Sequence, residues 1–310
     1  MFEMSRVVSE SEVSALNSFL RIFKPDYTSR SVKFFVNAEA VGFVHLDACA
    51  ILAENASGFF RIEESKNEIH FDSSETSDGI TGEIARRLHR FRERNLFPCL
   101  RGWREEMLEV SRVFGGEPLF AIERSATPLF GIKRYGVHIN GFVEKDGKID
   151  FVWLQRRSRT KQQFPGVLDI IVSGGLQAGS TPLEAAHREC FEEATMTDDL
   201  CKEHLKSVGS VSFLYEDELG LHPLTFFCYD ASLPVDFEPR ANDGEVENFV
   251  KFPVDDLLDL IRDPERFKVT SAPTVLDFLI RHHVIDSSYG SALMNIASTV
   301  HQNLQEDYPE

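Results

Sequence analysis

The sequence lacks the features that would settle many functions at once. Its five cysteines, Cys49, Cys99, Cys190, Cys201 and Cys228, are scattered, odd in number and without CxxC spacing, so neither a disulfide framework nor a zinc site is expected. No basic region followed by an apolar core is present at the N-terminus, and no uninterrupted apolar run approaches membrane-spanning length; a cytoplasmic location is the expectation, with no membrane partner. Basic charge is in deficit: 33 Lys and Arg stand against 50 Asp and Glu, for a formal net charge of −17. That balance argues against nucleic acid as a partner, because phosphate backbones demand a basic face. The GxSxG, Walker A and HExxH patterns are missing, as are internal repeats and low-complexity stretches. Nothing in these features speaks to oligomeric state.

The 310 residues, 42% hydrophobic, suffice for two domains, each with its own core. Residues 1 to about 118 read as a mixed α/β unit. Helical spacing runs from Ser9 to Phe23, strands are predicted at Val32–Val36 and Ala40–Val44, a hairpin turns around Glu64–Lys66, and an Arg-rich helix spans Ile80–Arg94. Arg86 to Arg94 reads as a solvated face and Trp103 as a packed aromatic. Gly115-Gly116-Glu117-Pro118 breaks both periodicities and is the linker candidate. From 119 to 285 strands and helices alternate, with an Asp146-Gly147 hairpin turn and helices at Val254–Ile261 and Thr274–His283. Residues 286–310 are expected to form a C-terminal helix and polar tail.

The most informative segment is 174–196. Gly174, Gly175 and Gly179 allow close backbone approach to a ligand. Ser180 or Thr181 can cap a helix over Pro182–Ala194, with Pro182 in its first turn. At about 100° per residue, Glu192 and Glu193 fall roughly 60° and 40° to either side of Glu189, so the three carboxylates share a face. Leu183, Ala186, Cys190 and Ala194 turn toward the other side for burial. Arg188 can reach Glu192 one turn on. Crowded hard oxygen donors suit Mg²⁺ or Mn²⁺ with phosphate oxygens completing the shell.

These residues resemble the signature of the Nudix hydrolases: Gly, five residues, Glu, seven residues, then Arg-Glu-apolar-x-Glu-Glu-x-Gly-apolar. Arg188, Glu189, Cys190, Glu192, Glu193 and Met196 fit its second half and Gly174-Gly175 its start. The loop is one residue shorter, Ser180 and Thr181 stand where the first Glu is expected, and Thr195 replaces the later Gly. Tyr135–Phe142, Trp153–Lys161 and Phe164–Asp169 are similar to a narrower Nudix group, found in plant chloroplast proteins and fused to thiamine pyrophosphokinase in some fungi. That group shares the short loop and an N-terminal accessory domain.

The resemblance implies a Nudix α/β/α sandwich with a mixed sheet, preceded by a smaller α/β accessory domain. It further implies Mg²⁺- or Mn²⁺-dependent hydrolysis of a small-molecule diphosphate. Metal would be held by Glu189, Glu192, Glu193 and a backbone carbonyl of Gly174-Gly175. Glu192 or Glu193 would orient or deprotonate water, with Arg188 holding that carboxylate. Arg157 and Lys161, among the cations Arg156, Arg157, Arg159 and Lys161, are candidates to bind substrate phosphate. Glu245 or Glu247, from the acidic stretch that starts at Asp243, would supply a further carboxylate at the substrate. His138 reads as packed rather than ligating. The implied substrates are thiamine diphosphate analogues, in oxidised or damaged forms, converted to monophosphates. A pyrophosphatase of ADP-ribose or NADH type and a Nudix-fold ligand sensor without turnover are the alternatives.

Overall fold

The computed structural model describes residues 8–56, 58–242 and 244–309, and its contacts divide into two units that are not consecutive in sequence. One comprises the described residues through Ile22 with Tyr135–Phe213 and Phe226–Gln302; the other comprises Phe23–Arg134, Leu214–Thr225 and the described residues from Asn303. The expected segments 1–118, 119–285 and 286–310 therefore do not coincide with the contact units. Leu119 to Arg134 goes with the accessory unit, and the chain end is shared out between both.

Helix α1 (Glu10–Leu20) starts at Ser9, whose hydroxyl accepts from the Glu12 amide while Glu12 caps the Ser9 amide in return. The accessory unit then runs β1 (Ser31–Val36), β2 (Glu39–His45), α2 (Leu46–Asn55), β3 (Arg61–Glu63), β4 (Glu68–Phe71), α3 (Ser77–Glu93), β5 (Met107–Val110) and β6 (Phe120–Glu123). Four strands form a mixed sheet in the order β2-β1-β4-β3, antiparallel at β1–β2 and parallel at β1–β4. Helix α3 buries Ile80, Ile84, Leu88 and Phe91 on one stripe, and that spacing leaves Arg86, Arg90, Arg92 and Arg94 exposed to solvent. Gly115–Pro118 is not a linker. It lies in the connection between β5 and β6, which pair antiparallel within this unit.

The other unit contains β7 (Arg134–Lys145), β8 (Lys148–Arg157), β9 (Leu168–Ile170), β10 (Val172–Gly175), α4 (Pro182–Ala194), α5 (Asp198–His204), β11 (Leu205–Asp217), β12 (Gly220–Ser232), β13 (Val246–Phe252), α6 (Leu257–Ile261), α7 (Ala272–Arg281) and α8 (Ser291–Val300), with the strand ends noted above assigned elsewhere. Asp146 and Gly147 both have positive φ, at 53° and 75°, which is what a two-residue turn matching strand twist requires. The seven-stranded sheet has the order β11-β12-β7-β8-β13, with β10 on β7 and β9 on β8. Along β7 and β12, Phe226 stacks on His138, Asp230 bonds Asn140 and the Leu233 amide bonds the Phe142 carbonyl. Both numbers rise together, so these strands are parallel in a sheet whose pairs β7–β8, β8–β9 and β8–β13 are antiparallel.

Alternation along β7 builds the sandwich. Val137, Ile139 and Val143 share a core with Ala185, Ala186, Cys190 and Ala194 of α4, whereas His138 bonds Thr274 and Phe142 meets Phe278, both of α7. Odd residues thus face α4 and even residues face α7, as a two-residue period dictates. No helix among the described residues is long and apolar enough to cross a membrane.

Candidate metal and diphosphate site

Helix α4 is positioned by local chemistry at both ends. Thr181 is its N-cap: its hydroxyl accepts from the Glu184 amide, and the Glu184 carboxylate accepts from the Thr181 amide. Pro182 follows at the first turn, where a missing amide hydrogen costs nothing. At the far end Thr195 adopts a left-handed conformation with φ 52°, and its amide bonds back to the helix. This is the position where the signature has glycine, and the β-branched residue pays steric strain there.

The three carboxylates do not share one environment. Glu193 is 1% exposed and packed inward, while Glu192 is exposed; the 100° between them is enough to put one in the core and the other in water. Leu183, expected to be buried, is 55% exposed, and Ala185 takes its place against the sheet. Glu189 lies between the two, folded against the end of β10. A Cβ on Gly174 would fall 2.1 Å from the Glu189 Cδ, so only glycine lets the carboxylate rest on that backbone. Gly174 and Gly175 are the last residues of strand β10 rather than loop residues. Opposite them, a Cβ on Gly136 would fall 2.6 Å from the Gly174 carbonyl oxygen. Arg188 straddles its neighbours, donating to Glu189 at 2.9 Å and standing 3.9 Å from Glu192.

Burial pushes the Glu189 carboxyl up, Arg188 opposes this, and Glu192 and Glu245 add to it. Burial also pushes Glu193 up to about 8, against the Ser173 amide that favours its ionised form, with Glu189 and Asp169 adding repulsion and Lys161 relieving it. The Gln155 amide at 2.9 Å and the Ser173 backbone amide at 2.8 Å both donate to Glu193 Oε2. Both of these bonds fall on the same carboxylate oxygen.

Of the other predicted residues, Lys161 and Glu245 form an ion pair, and both act on the box carboxylates: Lys161 on Glu193 and Glu245 on Glu189. Glu247 instead stands 3.9 Å from Arg159 among exposed side chains. Asp243 lies outside the described residues. Arg157 corrects the expectation of a substrate cation. Its guanidinium is turned inward, donating to the Phe164 carbonyl at 3.0 Å, the Gln163 carbonyl at 3.1 Å and the fully buried Asp169 at 3.3 Å. It holds the 163–169 loop instead of facing a ligand. His138 is packed, as expected: fully buried, stacked on Phe226 at 3.6 Å and bonded to Thr274 at 2.7 Å.

Sequence reasoning missed Asp169, Ser173, Gln155 and Lys268. Lys268 Nζ lies 2.8 Å from Asp169 Oδ2 and 3.0 Å from Ser173 Oγ. Burial alone would raise the Asp169 carboxyl, but Lys268 and Arg157 outweigh it and hold that group below the usual range. The Phe164–Asp169 motif contained the acidic residue; nothing local pointed to its partner.

A divalent metal fits the donor set. Glu189 and Glu193 are carboxyls whose ionised forms are penalised by burial and by neighbouring carboxylates, Glu192 and Glu245 at Glu189 and Glu189 and Asp169 at Glu193, and a hard cation is the group that would offset this. Among the described residues, the three-member group with all donor atoms within 4.8 Å of one another is Glu63, Glu68 and His70 of the accessory unit, not the box trio. In that group Glu63 already pairs with Arg61 and Lys66. The box has wider spacing and a single flanking arginine.

The sheet between helical layers, with a glycine-ended strand feeding a Glu-rich helix, defines a sandwich built to hold carboxylates over a strand end. The NUDIX domain model matches residues 133–272, and a domain of unknown function (DUF4743) matches residues 9–134. Nudix hydrolase 20, chloroplastic, of Arabidopsis thaliana is 40% identical over 184 residues, covering 59% of this chain and 49% of its own length. Nudix hydrolase 24, chloroplastic, of the same plant is likewise 40% identical over 184 residues, covering 59% of this chain and 50% of its own length. An uncharacterised protein of Saccharomyces cerevisiae is 32% identical over 261 residues, covering 79% of this chain and 74% of its own length. The chain belongs to the Nudix family, with an N-terminal accessory domain. It spans about half the length of the two Arabidopsis relatives.

Proposed function

We propose that this protein is a Mg²⁺- or Mn²⁺-dependent hydrolase of phosphoanhydride bonds in small-molecule diphosphates. The observation that supports this best is the placement of Glu189 on the Gly174 backbone beside the buried Glu193. Glu189, Glu192, Glu193 and a carbonyl at the end of β10 would hold the metal, which would supply positive charge for the phosphate and for the attacking water. The chain's own groups do the remainder. Gln155 and the Ser173 amide fix one oxygen of Glu193, leaving the other to orient or accept a proton from the attacking water. Arg188 fixes Glu189 and stands by Glu192. Lys161 is the cation for the diphosphate, and it must exchange Glu245 for phosphate when substrate arrives.

For the substrate we favour thiamine diphosphate analogues in oxidised or damaged form, cleaved to the monophosphate. This reading rests on the Tyr135–Phe142, Trp153–Lys161 and Phe164–Asp169 resemblance. The test is product release with Mg²⁺ from thiamine diphosphate, oxythiamine diphosphate, ADP-ribose and NADH. Preference for the thiamine compounds supports the substrate reading. Turnover of ADP-ribose or NADH alone keeps the hydrolase and discards that substrate. No Mg²⁺-dependent turnover with any of the four counts against both.

A further inference from the structure

Lys268 sits outside the signature that defines the family, yet its surroundings tie it to the signature's centre. Its main chain is pinned to the edge of β9: the Lys268 amide donates to the Leu168 carbonyl at 2.8 Å, the Leu168 amide donates to the Arg266 carbonyl at 2.8 Å, and Phe267 bridges Leu168 in parallel. That clamp fixes the Cα from which the side chain enters the protein. The ammonium then meets Asp169 Oδ2 at 2.8 Å and Ser173 Oγ at 3.0 Å. Ser173 Oγ donates in turn to Asp169 Oδ2 at 2.9 Å. One residue thus has two hands, because the Ser173 backbone amide bonds Glu193 Oε2 at 2.8 Å while its side chain is held by Lys268. The next residue is Gly174, on which Glu189 rests.

Charge reasoning gives the same picture. Asp169 is fully buried between Arg157 and Lys268. Both cations hold this buried anion, and Lys268 also holds the Ser173 side chain. Removing Lys268 would leave the Ser173 side chain with Asp169 as its partner and take away the bond that ties both to the 266–268 segment, without touching a residue of the signature.

We infer that Lys268 is a positioning residue for the metal and diphosphate site, acting through Asp169 and Ser173 to hold strand β10, and with it Glu193 and the Gly174–Gly175 carbonyls, in register with α4. It touches neither metal nor substrate. The inference rests on the proposed function for its catalytic readout, but it also predicts a binding readout that does not.

The test uses the full chain with Lys268→Met, which keeps the main-chain clamp and the stem of the side chain, and Ser173→Ala, which keeps the amide bond to Glu193. Free Mn²⁺ is counted by electron paramagnetic resonance to obtain the Mn²⁺ Kd, and kcat and KM are measured on the best diphosphate from the panel. Outer partners of metal ligands typically change affinity or rate by about 10- to 100-fold. The expected result is a Mn²⁺ Kd raised and a kcat lowered by that order in Lys268→Met, with KM nearly unchanged and a smaller effect of the same kind in Ser173→Ala. If Lys268→Met does not fold, Ser173→Ala decides. Wild-type Mn²⁺ binding in every folded variant overturns the inference. A raised KM at constant kcat also overturns it, because Lys268 would then be contacting substrate. If the wild-type protein binds Mn²⁺ but turns over no diphosphate, the proposed function fails, while the difference in Mn²⁺ Kd still decides the role of Lys268.

Discussion

On the α4 side of the seven-stranded sheet, Glu189 and Glu193 are held with too little positive charge; on the α7 side, Asp230 and Asp277 are surrounded by it. Burial tends to raise all four carboxyls. At Asp230 the hydrogen bonds of His282 and Arg281 overcome burial, and at Asp277 those of His301 and Arg281 do so, leaving both carboxyls low. The contacts are close: Arg281 Nε to Asp277 at 2.7 Å, His282 Nε2 to Asp230 at 2.8 Å and the Asn140 amide to Asp230 at 3.0 Å. At Glu193 burial wins and the carboxyl rises to about 8. Two clusters in one sandwich thus differ in whether the chain provides the counter-charge. Where it does, the cluster braces the fold; where it does not, the proposed metal would supply the charge.

The comparison can be broken most directly at Glu193. Glu193→Gln keeps shape and removes the carboxylate, so kcat should fall by about 10²- to 10⁴-fold, while the melting temperature at pH 8 holds or rises. Steady-state kinetics beside calorimetry checks both, and retained turnover would end the functional reading of this cluster. The opposite pattern is expected at Arg281. Arg281→Met removes one partner from Asp230 and Asp277, and the loss should lie toward the lower end of the roughly 3–5 kcal/mol typical of a broken buried pair, with kcat per folded molecule unchanged.

A third test uses pH and metal together. A carboxyl raised in the folded state contributes stability that is complete below its unfolded pKa, 4.5 for Glu193, and is lost as pH rises through about 8. Carboxyls lowered in the folded state, such as Asp230 and Asp277, contribute above their unfolded value of 3.8 and lose it as pH falls through the folded one. Chelated protein should therefore lose melting temperature from the box between about pH 5 and 8. Adding Mg²⁺ should restore more at pH 8 than at pH 5.5, because binding needs deprotonated ligands. Equal restoration at both values would separate the metal from Glu193.

The smallest expected effect is at the helix end. A left-handed conformation costs a β-branched residue roughly 1–2 kcal/mol, and glycine returns about half of that through its own lost freedom. Thr195→Gly should thus raise the melting temperature by about 2 °C without altering the carboxylates.

Local signals were legible and remote ones were not. A helix cap at Ser180 or Thr181, Pro182, the Asp146-Gly147 turn and the hairpin at Glu64–Lys66 depend on residues within a few positions, and the sequence exhibits them directly; the structure chose Thr181 as the cap. Arg157 was misread because an arginine after a strand looks like a free cation until the Gln163 and Phe164 carbonyls fold back over it. Gly115–Pro118 was misread for a similar reason: glycine and proline mark a reversal equally well inside a hairpin and between domains. Lys268 could not be found, since its partner Asp169 is 99 residues away.

The order of residues by itself determined that Arg188, Glu189, Glu192 and Glu193 occupy one helix behind a glycine-ended segment, because helical rise and rotation are fixed by the backbone and need no partner. It also determined the family. Only the tertiary structure decided which carboxylate is buried, which cation is withheld and which is turned inward. Those outcomes depend on desolvation and on charges brought together across the sheet, and neither quantity exists until the chain has folded.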